Sequence, residues 1–128
     1  MPLLLDTHAL IWHAFQDGRL PQTVRESIAQ PEEVVFVSAA SAWEIATKAR
    51  RGALPAGALA TDFVAVVRQA GFRVLAIGAQ DAQDAGGLPE HHRDPFDRML
   101  IAQARRRGLV LVSNEAVFDA YGVQRLWA

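Results

Sequence analysis

The 128-residue sequence contains no cysteine. Disulfides, thiolate metal sites and cysteine nucleophiles are thereby excluded, which is compatible with a reducing cytoplasm. Long apolar runs are also missing. Leu3-Leu4-Leu5 meets Asp6 at once, too short for the core of a signal peptide, and nothing approaches the ~18 residues that span a bilayer. There is no Gly-x-Gly-x-x-Gly fingerprint and no Walker Lys-Ser/Thr, so nucleotide-cofactor and NTPase readings have no support. His8, His13, His91 and His92 do not form a His-Glu-x-x-His zinc motif, and His91-His92-Arg93 reads as a solvated loop ahead of a helix. Charge of one sign is absent too: the net charge is −1, so any contact with nucleic acid must be local rather than a bulk attraction. A soluble, intracellular protein is the expectation.

What is present is an ordinary globular composition, 51% hydrophobic and 21% charged, in a length that suits one domain with a genuine core across residues 1–128. Apolar runs of strand length alternate with helix-period segments, which predicts an α/β fold with a mainly parallel sheet of four or five strands. Strands are expected at Leu3–Leu5, Val34–Val37, Phe72–Ile77 and Leu109–Ser113, with an edge strand at Val123–Trp127. Helices are expected at Ala9–Phe15, Gln22–Ala29, Ser41–Arg51, Thr61–Gln69, Ala79–Ala85, Asp94–Arg107 and Ala116–Tyr121. The strongest is Asp94–Arg107, with Asp94 as N-cap, Pro95 behind it and Gly108 at its end. Arg105-Arg106-Arg107 and the cluster Lys48, Arg50, Arg51 read as cations at helix C-termini.

Four acids then stand out. Asp6 and Glu115 follow the first and fourth strands, Glu44 lies early in the helix after the second, and Asp97 opens the helix before the fourth. In a doubly wound sheet all four arrive at the carboxyl edge, where ligands bind. Two carboxylates ~4 Å apart repel by about 4 kcal/mol at an effective dielectric near 20. A hard cation such as Mg²⁺ or Mn²⁺ removes that cost, and it supports phosphodiester hydrolysis by activated water. Each acid also has an ordinary explanation. Asp6, beside Thr7, is a plausible N-cap; Ser41-x-x-Glu44 has the form of a capping box with Lys48 as ion-pair partner; Asp97 suits the first turn of its helix; Glu115 suits a surface turn.

At Leu3-Leu4-Leu5-Asp6-Thr7-His8, Ser41-Ala42-Trp43-Glu44-Ile45, Asp94-Pro95-Phe96-Asp97-Arg98-Met99-Leu100-Ile101-Ala102-Gln103-Ala104 and Leu111-Val112-Ser113-Asn114-Glu115, the chain resembles the PIN-domain family, and within it the VapC-type toxins of toxin–antitoxin systems. The resemblance implies an α/β/α sandwich and a Mg²⁺- or Mn²⁺-dependent endoribonuclease. It places Asp6, Glu44 and Asp97 as the catalytic, metal-binding acids. Glu115 stands as a fourth ligand where the family more often has aspartate. Ser113, Asp94, Lys48 and Thr7 fall in supporting or substrate-binding positions, Asp94 first of all as a helix cap. The resemblance further implies an RNA substrate, a homodimer and a cognate antitoxin whose C-terminal segment reaches toward the acids, with Trp12 and Trp43 as candidate anchors.

Two other classes compete. One is a non-catalytic PIN-like module that holds RNA or a protein without cutting, against which the three principal acids argue. The other is a phosphoryl-acceptor signalling domain. That class needs an acceptor aspartate at the end of a middle strand and a late lysine, yet strand three leads only to Gly78-Ala79-Gln80-Asp81 and Lys48 is the sole lysine.

Overall fold

Leu3–Leu5 (β1) is buried at every position and sits in the middle of a sheet whose other strands come from distant parts of the chain. The computed structural model describes residues 1–128. Its remaining strands are Val35–Ser38 (β2), Arg73–Leu75 (β3), Val110–Val112 (β4) and Arg125–Leu126 (β5). They form one five-stranded sheet in the order β3-β2-β1-β4-β5, parallel throughout rather than mainly so. Register is set by Leu3↔Val35 on one side of β1 and Leu3↔Val110 on the other.

β1 coincides with its apolar run and β2 is shifted by one residue, whereas β3, β4 and β5 are shorter than the runs that contain them. Leu109 and Ser113 are buried yet lie outside β4: Leu109 packs in the apolar layer with Leu100 and Leu111, and the Ser113 N–H still donates to Leu126 O at 3.3 Å. Alternation of side chains across the sheet divides the core in two. Leu3, Leu5, Val35, Val37 and Val112 face one layer, built from Thr7–Ala14 (α1), Gln22–Ile28 (α2) and Phe63–Gln69 (α4). Leu4 and Leu111 face the other, with Leu100, Ile101 and Ala104 of Pro95–Arg107 (α6), together with Phe118 and Tyr121. The α/β/α sandwich follows.

Two helices begin earlier than expected. Ala39–Arg50 (α3) is capped by Ser38, whose Oγ accepts from the Ala40 N–H at 3.0 Å, so Ser41 lies inside the first turn. The capping box Ser41-x-x-Glu44 is therefore corrected: Ser41 caps nothing, and Glu44 belongs to the second turn. The physical reason is that β2 runs directly into α3 through the hydroxyl of its own last residue. Likewise α1 starts at Thr7, because Asp6 caps it. Within the stretch expected as loop, Gly57–Ala60 forms a 3-10 turn, and Ala116–Tyr121 is 3-10 rather than α. Ala79–Gly86 (α5) packs along α6, and α6 ends as expected at Gly108 in the left-handed conformation (φ 65°). No helix is long and apolar enough to cross a membrane.

Candidate active site

The strand order reverses at β1. The chain passes outward from β1 to β2 and β3, then returns to the opposite side for β4, so the carboxyl ends of β1 and β4 form the switch point at which parallel α/β sheets bind ligands. Asp6 stands there because it follows β1. Its backbone N–H extends the ladder by donating to Val112 O at 3.0 Å, and Oδ1 accepts from the Ala9 N–H at 2.8 Å. Capping and placement at the switch point thus coincide in one residue. Asp6 is only 2% exposed, and burial pushes its carboxyl up to about 6, against hydrogen bonding from Ser113 and Ala9 that draws it down.

Ser113, wholly buried after β4, accepts the Glu115 N–H on its Oγ at 3.0 Å, and its carbonyl accepts from Arg125 at 3.0 Å. This fixes the turn that carries Glu115, which is half-buried rather than a free surface group. Its charge is felt by both Asp6 and Asp97, making it the electrostatic link between them.

Asp97 lies in the first turn of α6. Asp94 caps that helix, its Oδ1 accepting from the N–H groups of Phe96 (2.9 Å) and Asp97 (3.3 Å). Asp97 is 8% exposed. Burial raises its carboxyl to about 7, the charges of Asp94, Glu115 and Glu44 add to the rise, and the hydrogen bond with His92 opposes it. His92 corrects the expectation of a solvated loop: its Nε2 lies 2.7 Å from Asp97 Oδ2, and its side chain is largely covered. The signal was positional. A loop ending at the cap of the Asp97 helix has to pass that helix's N-terminus, and His92 is the polar side chain that turns in.

Glu44, 3% exposed, has a side-chain partner on each oxygen. Thr7 Oγ1 donates to it at 2.6 Å and also lies 3.0 Å from Ser41 Oγ, while Lys48 forms an ion pair with its other oxygen. The hydrogen bond to Glu44, then the charges of Glu44, Asp94 and Asp97, raise the Lys48 ammonium above its ordinary value. Lys48 is thus a cation seated among three acids.

The structure therefore places Asp97, Glu115 and His92 together, with one potential donor atom from each within 4.8 Å of the others. It sets Glu44 within electrostatic range of Asp97, and Asp6 within range of Glu115. The donor set is oxygen-rich with one imidazole, and its Asp97 carboxyl resists ionisation. Both properties fit a hard or borderline divalent cation.

The two tryptophans part company. Trp12 is partly covered by the core, between the rings of His8 (5.6 Å) and Trp127 (5.9 Å), with the Arg19 guanidinium 5.1 Å over it. Trp43, one residue before Glu44, is 65% exposed and meets Phe96 edge-on at 5.0 Å.

A family model described as PIN domain matches residues 3–124. No curated protein matches the sequence. Among solved structures, VapBC2 from Rickettsia felis bound to a promoter DNA fragment superposes with a TM-score of 0.73 at 12% identity, covering 100% of both chains. VapC20 from Mycobacterium tuberculosis, described as a sarcin-ricin loop cleaving toxin, has a TM-score of 0.73 at 20% identity and covers 98% of this chain and 99% of its own. DNA-bound VapBC from Salmonella typhimurium has a TM-score of 0.70 at 23% identity, with 98% and 97% covered. At these identities the likeness establishes the fold.

Proposed function

The chain belongs to the PIN-domain family, whose members are generally nucleases, and from that premise we propose that it is a divalent-metal-dependent endoribonuclease acting as the toxin of a toxin–antitoxin pair. What supports this reading is the grouping of Asp97, Glu115 and His92 near the reversal point of the sheet, with Asp6 within electrostatic range of Glu115 and both aspartates buried and reluctant to ionise. Carboxyls that hold protons up to about 6 and about 7 are ones that a cation would stabilise as anions.

Asp6, Asp97 and Glu115 would hold the ion directly, with Glu44 completing the acidic set. What Mg²⁺ or Mn²⁺ supplies there is neutralisation of charge on the phosphoryl oxygens and activation of water for attack. The chain's own groups do the rest. Asp94 fixes the α6 N-terminus and so the aim of Asp97. Ser113 holds the Glu115 turn and tempers Asp6. Thr7 and Lys48 orient Glu44, and the Lys48 ammonium offers a donor to a phosphate entering beside it.

Residues 1–128 would act as one such domain, in the cytoplasm, as a homodimer with a cognate antitoxin. Support for a protein partner comes from the toxin–antitoxin assemblies among its structural neighbours and from the exposed Trp43.

Purified protein incubated with structured RNA tests the reading. Cleavage is expected with Mg²⁺ or Mn²⁺ and is expected to stop on chelation or with Asp6→Asn or Asp97→Asn. RNA bound but never cut, under any divalent ion, would replace the nuclease with the non-catalytic binding module. Co-expression with a neighbouring small open reading frame tests the partner: growth arrest by the chain alone, relieved by that neighbour, is expected.

A further inference from the structure

His92 is the hydrogen-bond partner of Asp97, and it is also held at several further points. Its ring packs edge-on against the buried Phe118, centroids 6.0 Å apart. Its backbone N–H donates to the Tyr121 hydroxyl at 2.8 Å, and that hydroxyl donates onward to Pro89 O at 2.7 Å. Its carbonyl accepts from the Arg98 guanidinium at 3.0 Å. The same guanidinium donates to the carbonyls of Ala85 (3.0 Å), Leu88 (2.7 Å) and Pro89 (3.0 Å). One arginine of α6 thus ties down the whole turn that leads from α5 to His92.

The result is an imidazole nitrogen fixed beside oxygens from two separate elements, Asp97 of α6 and Glu115 after β4. The three donor atoms lie within 4.8 Å of one another, close enough for a single ion to be shared by all of them. The 2.7 Å between Nε2 and Oδ2 is also close to the spacing of adjacent ligands, about 3.0 Å for ~2.1 Å bonds at right angles.

We infer that His92 is a direct ligand of the divalent cation held by Asp97 and Glu115, which makes this centre a mixed nitrogen–oxygen site that selects Mn²⁺ over Mg²⁺. The inference rests on the metal-dependent reading above and sharpens it. Mg²⁺ holds to oxygen and water, whereas imidazole suits transition ions. As a ligand, His92 would carry its proton on Nδ1 and turn the Nε2 lone pair to the ion.

Mn²⁺ and Mg²⁺, each used alone with the full chain, provide the test. Pulsed EPR of the Mn²⁺-loaded wild type should show coupling to an imidazole nitrogen that disappears in His92→Gln. Mn²⁺ affinity should fall at least about tenfold in that variant, with Mg²⁺ affinity changed by less than about threefold. Tight Mn²⁺ binding by the wild type without nitrogen coupling overturns the inference and leaves the metal reading intact, as does an equal loss for both ions. The wild-type spectrum decides even if the variant fails to fold. Absence of binding of either ion to the wild type would bring down both.

Discussion

Asp6 and Asp97 hold their protons to about 6 and about 7, so at neutral pH Asp97 sits at the balance between a charged and an uncharged side chain while Asp6 has passed it. Desolvation is the leading cause in both, and replacing either carboxyl with an amide removes that cost together with the proposed ligand. Asp6→Asn and Asp97→Asn are therefore expected to lose cleavage by about 100-fold or more while melting no lower than the wild type without added metal at pH 8; RNA cleavage assays and thermal scans check the pair of outcomes. Glu44 behaves differently. It already has Thr7 and Lys48, and Thr7→Val is expected to cost about 2 kcal/mol by urea unfolding, since a hydrogen bond to a buried charged acceptor is lost. At this scale the acids themselves were legible in the sequence, because position after a strand or in a helix's first turns predicts which edge they reach. Their partners were not. Whether Glu44 meets Ser41 as a cap or Thr7 as a donor depends on where α3 begins, and Ser38 decides that through a bond to the Ala40 N–H. His92 was misplaced for a similar reason: nothing local says that Arg98 and Tyr121 will tie its loop inward.

The elements are joined below the site by a buried polar chain. Ser38 Oγ donates to Gln103 Oε1 at 2.6 Å, and Gln103 Nε2 donates to Ala76 O (3.2 Å) and Asp81 Oδ2 (3.4 Å). Asp81 in turn takes both arms of Arg107 at 2.8 and 2.9 Å. This links the start of α3, which bears Glu44, to the middle of α6, which bears Asp97. Ser38→Ala removes a helix cap and strands the Gln103 oxygen, so a loss of about 2 kcal/mol is expected in urea unfolding. Arg107→Met uncovers a fully buried carboxylate and is expected to cost about 2 kcal/mol at pH 7, tempered by the partial exposure of the arginine. The Arg107 hydrogen bonds hold the Asp81 carboxyl at about 2, below its unfolded value, so the pair contributes fully above about pH 4 and fades as pH falls toward 2. Arg107→Met should flatten that acid limb. The helix C-terminus reading of the arginine triplet was right about position and silent about this bond, because Asp81 comes from α5, whose packing against α6 is a tertiary fact. Helix and strand identities were otherwise readable from period and caps, and Asp94-Pro95 with Gly108 marked both ends of α6.

For the whole molecule, the strand order is what turns scattered acids into neighbours, and order is the property least visible in local pattern. Alternating βα units predicted a parallel sheet; that β4 returns beside β1 rather than beyond β3 emerges only from packing two core layers around one central strand. The consequence is a site that opposes folding when its acids are charged and uncompensated. Between the unfolded carboxyl value of about 3.9 and the native values of about 6 and about 7, the native state binds more protons than the unfolded one. Stability without metal must therefore fall as pH rises from about 4 to about 7, by about 3 kcal/mol from Asp6 alone. A bound cation competes with those protons, so its stabilising effect must grow over the same interval. Thermal unfolding of the purified chain at pH 5 and pH 8, with chelator and with millimolar Mn²⁺, measures this directly. The melting temperature in chelator should drop on going to pH 8, Mn²⁺ should restore it there and do little at pH 5, and Asp97→Asn should respond weakly to Mn²⁺ while keeping the share of the pH drop that Asp6 supplies. A melting temperature indifferent to Mn²⁺ at pH 8, in a folded wild-type protein, would contradict the account.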